Sequence, residues 1–146
     1  MSKLDGDVTI EYCVLFFTDL DDKYGMVGNG WCRAQCKDGG YSCKVNGYRK
    51  DSSSYDECKT TCNDESACTG FAVSDSSYGY PNRCYVYGDE AKFSQTITNS
   101  NDWTKYLRYP EDIKTIFKIE SSGGVDQKVR CFKRIRKEDQ PKGKCL

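Results

Sequence analysis

The sequence contains no histidine among its 146 residues. The Ser-His-Asp and Cys-His arrangements of nucleophilic enzymes are therefore excluded. No apolar run is long enough to cross a membrane. Basic and acidic residues are equal in number, 22 of each, so net charge gives no argument for nucleic acid as a partner. These absences predict a protein that is not an enzyme, needs no cofactor, binds no nucleic acid and does not insert into a membrane.

Cysteine, in contrast, is abundant, with ten residues in the chain. Zinc sites usually contain Cys-x-x-Cys pairs and often histidine, whereas the close pairs here are Cys-x-x-x-Cys. We therefore favour disulfides over metal ligation, in a protein secreted into an oxidising extracellular environment. Met1 leads into polar residues rather than an apolar leader, so secretion implies a mature fragment, an expressed fragment or an incomplete sequence.

The segment 52–88 concentrates the local structural signals. Ser54 followed three residues later by Glu57 is typical of a capping box, which predicts a helix over residues 55–61. Cys58 and Cys62 are four residues apart and would lie on one face of that helix.

Strands are predicted on both sides of this helix. The apolar and β-branched pattern favours strands at 45–49, 70–74 and 83–87, the last two joined by a turn at 79–82. The acidic and glycine-rich residues 18–30 are typical of a turn.

Residues 110–120 fit a helix or a strand. A hairpin turn at 121–124 would then lead into a C-terminal strand with Val129, Cys131 and Phe132 facing inward. Together these elements predict an α+β fold, a small disulfide-rich domain with one main helix packed on a mostly antiparallel sheet.

The N-terminal residues 7–17 predict a further strand that becomes apolar on both faces at 13–17. Such a strand belongs either to the centre of the sheet or to a contact in which it adds to another subunit. We favour the central strand.

Several short motifs resemble those of PAN/apple domains, in the compact form found in extracellular proteins. They occur in the order Trp31-Cys32, Gly47-Tyr48, Cys58-x-x-x-Cys62, Cys68-x-Gly-Phe71, Arg83–Gly88 and Val129–Lys133. The resemblance implies a PAN/apple-like domain at 28–136. It would be preceded by an N-terminal strand and acidic extension at 1–27 and followed by a basic tail at 137–146.

The same resemblance implies how the cysteines pair. Its bridges are Cys58–Cys84, Cys62–Cys68 and Cys32–Cys131, and Cys36–Cys43 follows by proximity. Cys13 and Cys145 are then left for each other or for another chain, and we expect the pair Cys13–Cys145.

Candidate binding residues are the exposed aromatic and basic side chains. Tyr85 and Tyr87 fit ordinary strand packing, whereas tyrosines in the predicted loop are better placed for a ligand. The basic C-terminal strand and tail would attract a sulfated or carboxylated polysaccharide, or would only be a solvated face. The candidates are Tyr78, Tyr80, Arg83, Lys133, Arg134 and Arg136.

The sequence thus favours an extracellular, non-enzymatic binding or adhesion module that recognises a protein or a glycan. The alternative is a structural subunit that assembles with itself into an extracellular filament or matrix. The apolar residues 13–17 and the opposite charges of the two chain ends favour this alternative.

Overall fold

A computed structural model describes residues 22–36, 39–107 and 117–140. The chain divides into two compact units, one formed by Tyr24–Arg134 and the other by Met1–Lys23 with Ile135–Leu146. The larger unit contains one main helix and two β-sheets, mostly antiparallel. The predicted α+β, disulfide-rich class is confirmed.

The main helix, α1, spans Tyr55–Asp64. The Ser54 hydroxyl accepts a hydrogen bond from the Glu57 backbone N–H at 3.1 Å, and the Glu57 carboxylate accepts one from the Ser54 N–H at 3.3 Å. The predicted start is therefore confirmed, and the helix extends three residues beyond the predicted end. Shorter helical segments are the 3-10 turn Glu90–Lys92 and α2 (Gln95–Thr98).

A six-stranded sheet supports α1. Its strands in spatial order are β1 (Lys23–Asn29), β9 (Val129–Ile135), β5 (Cys68–Ser74), β6 (Cys84–Gly88), β4 (Gly47–Lys50) and β7 (Thr104–Tyr106). β5 pairs antiparallel with β6 and β9, and β4 pairs antiparallel with β6 and β7. The strands predicted at 45–49, 70–74 and 83–87 correspond to β4, β5 and β6 within two residues.

A second, three-stranded sheet lies on the other face of the main sheet. Its order is β3 (Cys43–Lys44), β2 (Cys32–Ala34) and β8 (Ser121–Ser122). Because side chains alternate along β5, Phe71 and Val73 pack with the helix cysteines, whereas Ala72 packs with the small sheet. The fold therefore has two apolar cores, one on each face of the main sheet.

Four disulfides join these layers. Cys58–Cys84 and Cys62–Cys68 tie α1 to the main sheet, Cys32–Cys131 ties the small sheet to β9, and Cys36–Cys43 closes a local loop. These are the four pairs that the resemblance implies. The expected pair Cys13–Cys145 lies outside the described residues, as does the predicted strand at 7–17.

Two local predictions are wrong. Residues 23–29, within the predicted turn at 18–30, form β1, and the turn is made by Gly30, whose φ of 94° lies in the left-handed region that favours glycine. Ser121 and Ser122 form β8 rather than a hairpin turn. β8 pairs with β2 in the small sheet, whereas β9 pairs with β5 in the main sheet, so the two strands belong to different sheets. Val129, Cys131 and Phe132 are buried, as predicted.

In the smaller unit, the described residues include the 3-10 turn Lys137–Asp139. The Lys137 backbone N–H donates a hydrogen bond to the Asp22 carboxylate at 2.7 Å, and the Gln140 amide donates to the Ile135 carbonyl at 3.2 Å.

Candidate functional site

A cleft of about 360 Å³ opens in the larger unit, on the face of the main sheet that α1 does not cover. Both sheets and the loop between β5 and β6 contribute to its walls. Its lining residues are Trp31, Cys32, Arg33, Lys44, Val45, Arg49, Tyr80, Arg83, Tyr85, Tyr87 and Tyr106. Four of them are cationic, five are aromatic and none is acidic. We call this feature the basic cleft.

Strand register places the main-sheet residues side by side. Arg49 on β4 lies opposite Tyr85 on β6, and Gly47 lies opposite both Tyr87 on β6 and Tyr106 on β7. Since alternate residues of a strand face the same side, these side chains all project into the basic cleft. Along these strands, alternate side chains thus face either the core beneath α1 or the cleft, and those that face the cleft form this wall.

The opposite wall carries a pair of like charges. Arg33 on β2 and Lys44 on β3 are direct partners in the antiparallel register, and both line the cleft. Like charges directly opposite each other on paired strands destabilise a sheet. An anion bound in the cleft would relieve this repulsion.

The loop from β5 to β6 contributes the rim. The Ser74 hydroxyl donates a hydrogen bond to the Tyr80 carbonyl at 2.6 Å and accepts one from the Arg83 N–H at 2.9 Å. The Arg83 guanidinium lies 4.4 Å from the Tyr80 ring centroid, a cation–π arrangement. The Tyr80 side chain is therefore held in place although the residue is 60% exposed.

The Asp51 carboxylate lies beside two of the cationic side chains. Asp51 pairs with Arg83 at 3.1 Å and with Arg49 at 3.7 Å. It is largely exposed and does not line the cleft, so a single acid partly balances two arginines. Among the described residues, the lining of the basic cleft therefore carries more positive than negative charge.

The aromatic side chains form a continuous set of ring contacts. Trp31 meets Tyr85 edge to face at 4.8 Å and Tyr78 at 5.9 Å, and Tyr85 meets Tyr106 at 5.2 Å. Tyr87 lies at the buried end of the set, stacked on Tyr85 at 5.8 Å. Burial raises the pKa of Tyr87 well above its ordinary value of 10, so its phenol keeps its proton at neutral pH.

The structure brings some of the predicted binding residues together and leaves others apart. Tyr80 and Arg83 line the basic cleft, and Tyr78 packs against Trp31 beside it. Lys133 is exposed on β9 and does not line the cleft, and Arg136 belongs to the smaller unit.

Arg134 has a structural arrangement of its own. Its guanidinium donates hydrogen bonds to the backbone carbonyls of Cys62, Asn63, Glu65 and Cys68, at 2.8 to 3.2 Å. These carbonyls lie at the end of α1 and the start of β5, where a cation is favoured by the helix dipole. We therefore leave Arg134 out of the proposed site.

Sequence reasoning missed five of the charged or aromatic cleft residues, namely Trp31, Arg33, Lys44, Arg49 and Tyr106. Arg33 and Lys44 each lie between uncharged residues, and Arg49 has a single basic neighbour, Lys50, so no long charge run marks these positions. Strand alternation places Arg49 and Tyr106 on the face of the main sheet opposite α1. Recognising this from the sequence would have required the pairing of strands that are far apart in the chain. Tyr85 and Tyr87 were predicted to pack in strands and do so, but they also form the wall of the cleft.

Among residues 22–36, 39–107 and 117–140, no group of three or more cysteine, aspartate or glutamate side chains is arranged to hold a metal ion. None of the helices in these ranges combines the length and apolarity needed to cross a membrane. Comparison of the chain with protein-family models, curated proteins and solved structures finds no match.

Proposed function

We propose that the chain is an extracellular, non-enzymatic binding module of PAN/apple type, and that the basic cleft is its binding site for an acidic group on a glycan or a protein. The PAN/apple assignment is supported by the motif order, by one helix packed on a mostly antiparallel sheet, and by the four disulfides. Four disulfides in a small domain are typical of secreted proteins.

The observation that carries this proposal is the composition of the cleft. Four cations and five aromatic rings converge on one concavity, and no acid lines it. Arginine pairs well with carboxylate and sulfate groups, and aromatic side chains supply contact area with little loss of conformational entropy. An anionic ligand with an apolar surface fits both features.

Binding without catalysis is supported by the chemistry of the same residues. The lining side chains provide no carboxylate and no histidine as a general base. The thiol of Cys32 is committed to a disulfide, and the raised pKa of Tyr87 makes it a hydrogen-bond donor rather than a nucleophile. The cleft therefore offers positive charge and hydrogen bonds, and its lining holds no nucleophile paired with a carboxylate or histidine base.

The proposal is tested by binding the oxidised protein to an array that carries neutral glycans, acidic glycans and acidic peptides. We expect retention on acidic ligands, with loss in the double variant Arg33→Gln/Arg49→Gln. Lys133→Gln removes a positive charge from the exposed face of β9 and serves as the matched control. If Lys133→Gln alone lost binding to the acidic ligands, or if the double arginine variant kept it, the cleft would not be the site.

Self-assembly stays a prediction. It rests on residues 13–17 and on the charged chain ends, most of which lie outside the described residues. The cleft gives it no support, since an anion site needs no second copy of the chain.

A further inference from the structure

Arg33 is a cation of the cleft that has no acidic partner among the residues that the structure describes. No carboxylate of the described residues lies within ion-pair distance of its guanidinium, and the hydrogen bond that it donates goes to the Cys32 carbonyl at 3.0 Å. Gly123 leaves room beside it, because a Cβ there would come within 3.5 Å of Arg33 Nη2. A half-buried guanidinium with one local bond has several N–H groups left for an anion.

Arg49 and Arg83 differ from Arg33 in sharing Asp51. The side chain of Arg49 is 33% exposed and that of Arg83 is 18% exposed, whereas the side chain of Asp51 is 63% exposed. An exposed ion pair contributes little to stability, so a ligand anion competes with Asp51 at low cost. The two arginines thus form a second, adjustable part of the anion site.

Tyr80 supplies a different kind of contact. Arg83 covers one side of its ring, and the residue remains 60% exposed at the rim of the cleft. The C–H groups on the apolar face of a sugar ring carry partial positive charge and are attracted to the negative face of an aromatic ring. The tyrosine hydroxyls of the cleft add donors and acceptors suited to sugar hydroxyls.

We infer that the ligand is an acidic saccharide, bound through a sugar ring whose carboxylate or sulfate lies at Arg33 while the apolar ring face packs on Tyr80. This inference rests on the proposed function. The volume of about 360 Å³ is near the lower end of the range of small-molecule sites, roughly 300–1,000 Å³, and suits about one or two sugar rings. An aspartate or glutamate side chain of a protein would fill only a small part of it and would leave the tyrosines in water.

The test is a solution titration of the full chain, followed by NMR or calorimetry. The probes are a methyl glucuronoside, a methyl glucoside 6-sulfate, neutral methyl glucoside, inorganic sulfate and a sulfotyrosine peptide. We expect at least one acidic glycoside to bind about tenfold or more tightly than the neutral glycoside and than sulfate alone, and to weaken as salt rises. The two acidic glycosides distinguish carboxylate from sulfate as the anionic group.

Variants then locate the ligand. Arg33→Gln and Tyr80→Ala should each weaken the acidic glycoside by about tenfold, and only Arg33→Gln should reduce the salt dependence. The matched control is Lys92→Gln, which removes an exposed lysine charge outside the cleft. Unchanged disulfide mapping of each variant shows that it has folded.

Several results would overturn the inference. Equal binding of neutral and acidic glycosides would remove the role of Arg33, and binding of sulfate as tight as that of the glycoside would remove the role of the ring. Binding of the sulfotyrosine peptide alone would refute the saccharide and leave the proposed anion-binding function standing. No binding of any probe, together with no retention on the acidic array, would refute both.

Discussion

The Cys32–Cys131 disulfide should be the strongest single covalent contribution to stability in the larger unit. It joins residues 99 apart, whereas Cys36–Cys43 joins residues 7 apart. In the chain-entropy model these loops correspond to about 4–5 and about 2–2.5 kcal/mol of stabilisation, respectively. The bridges nested inside the long loop bypass about a third of it, which lowers the larger figure by only about 0.4 kcal/mol.

The perturbation is the double variant Cys32→Ala/Cys131→Ala, with Cys36→Ala/Cys43→Ala as the matched control. Urea unfolding without reductant is the assay. With a denaturant slope of about 2 kcal/mol/M, the first pair should lower the unfolding midpoint by about 2 M and the control by about 1 M. The burial of Cys32 and Cys131, both fully inaccessible to solvent, should add to the first loss. A control variant destabilised as much as the first, or more, would refute the reasoning.

Three further perturbations test the packing around the cleft and helix. Arg134→Met should lower the free energy of unfolding by about 2–3 kcal/mol in urea, because carbonyls at the end of α1 lose their shared charged donor; an effect below 0.5 kcal/mol would contradict this assignment. Gly47→Ala should cost about 2–3 kcal/mol by the same assay, since its Cβ would collide with the Val86 carbonyl, whereas Gly79→Ala meets nothing and should be nearly neutral; equal effects would be unexpected. Because the pKa of Tyr87 is raised in the folded chain, this phenol loses its proton more readily in the unfolded chain. The stabilisation that neutral Tyr87 gives is therefore complete below pH 10 and is lost as the pH rises beyond it. Urea unfolding between pH 8 and 11 should therefore show a fall in stability that is smaller in Tyr87→Phe, and an identical fall in both proteins would be evidence against this contribution.

The sequence predicted those parts of the fold that depend on interactions between residues close together in the chain. The capping box placed the start of α1 because both hydrogen bonds lie within four residues of sequence. The end of the helix was predicted three residues early, since its last carbonyls are satisfied by Arg134, about 70 residues away. The same limit explains β1, which became a strand through its place beside β9 and not through its own glycine-containing sequence.

The candidate site was predictable only in its loop. Tyr80 and Arg83 were predicted because an aromatic and a basic residue in the loop between two strands are placed to meet a ligand. Their mutual contact, with the Arg83 guanidinium 4.4 Å from the Tyr80 ring centroid, was not predicted. Arg33 and Arg49 come from strands in different sheets, and their shared position arises from the stacking of those sheets. Residues brought together in this way have no fixed separation in the sequence from which their proximity could be predicted.

Because Trp31 lines the cleft, its fluorescence is an intrinsic probe of ligand binding there. The chain has two tryptophans, and they occupy different surroundings: Trp31 lines the cleft between Tyr78 and Tyr85, whereas Trp103 packs beside the helix core with Lys50 above its ring. In Trp103→Phe the remaining indole emission would come from the cleft alone. Filling the cleft would change the polarity around that indole, so occupancy could be followed in an unlabelled protein by the wavelength and quenching of its fluorescence.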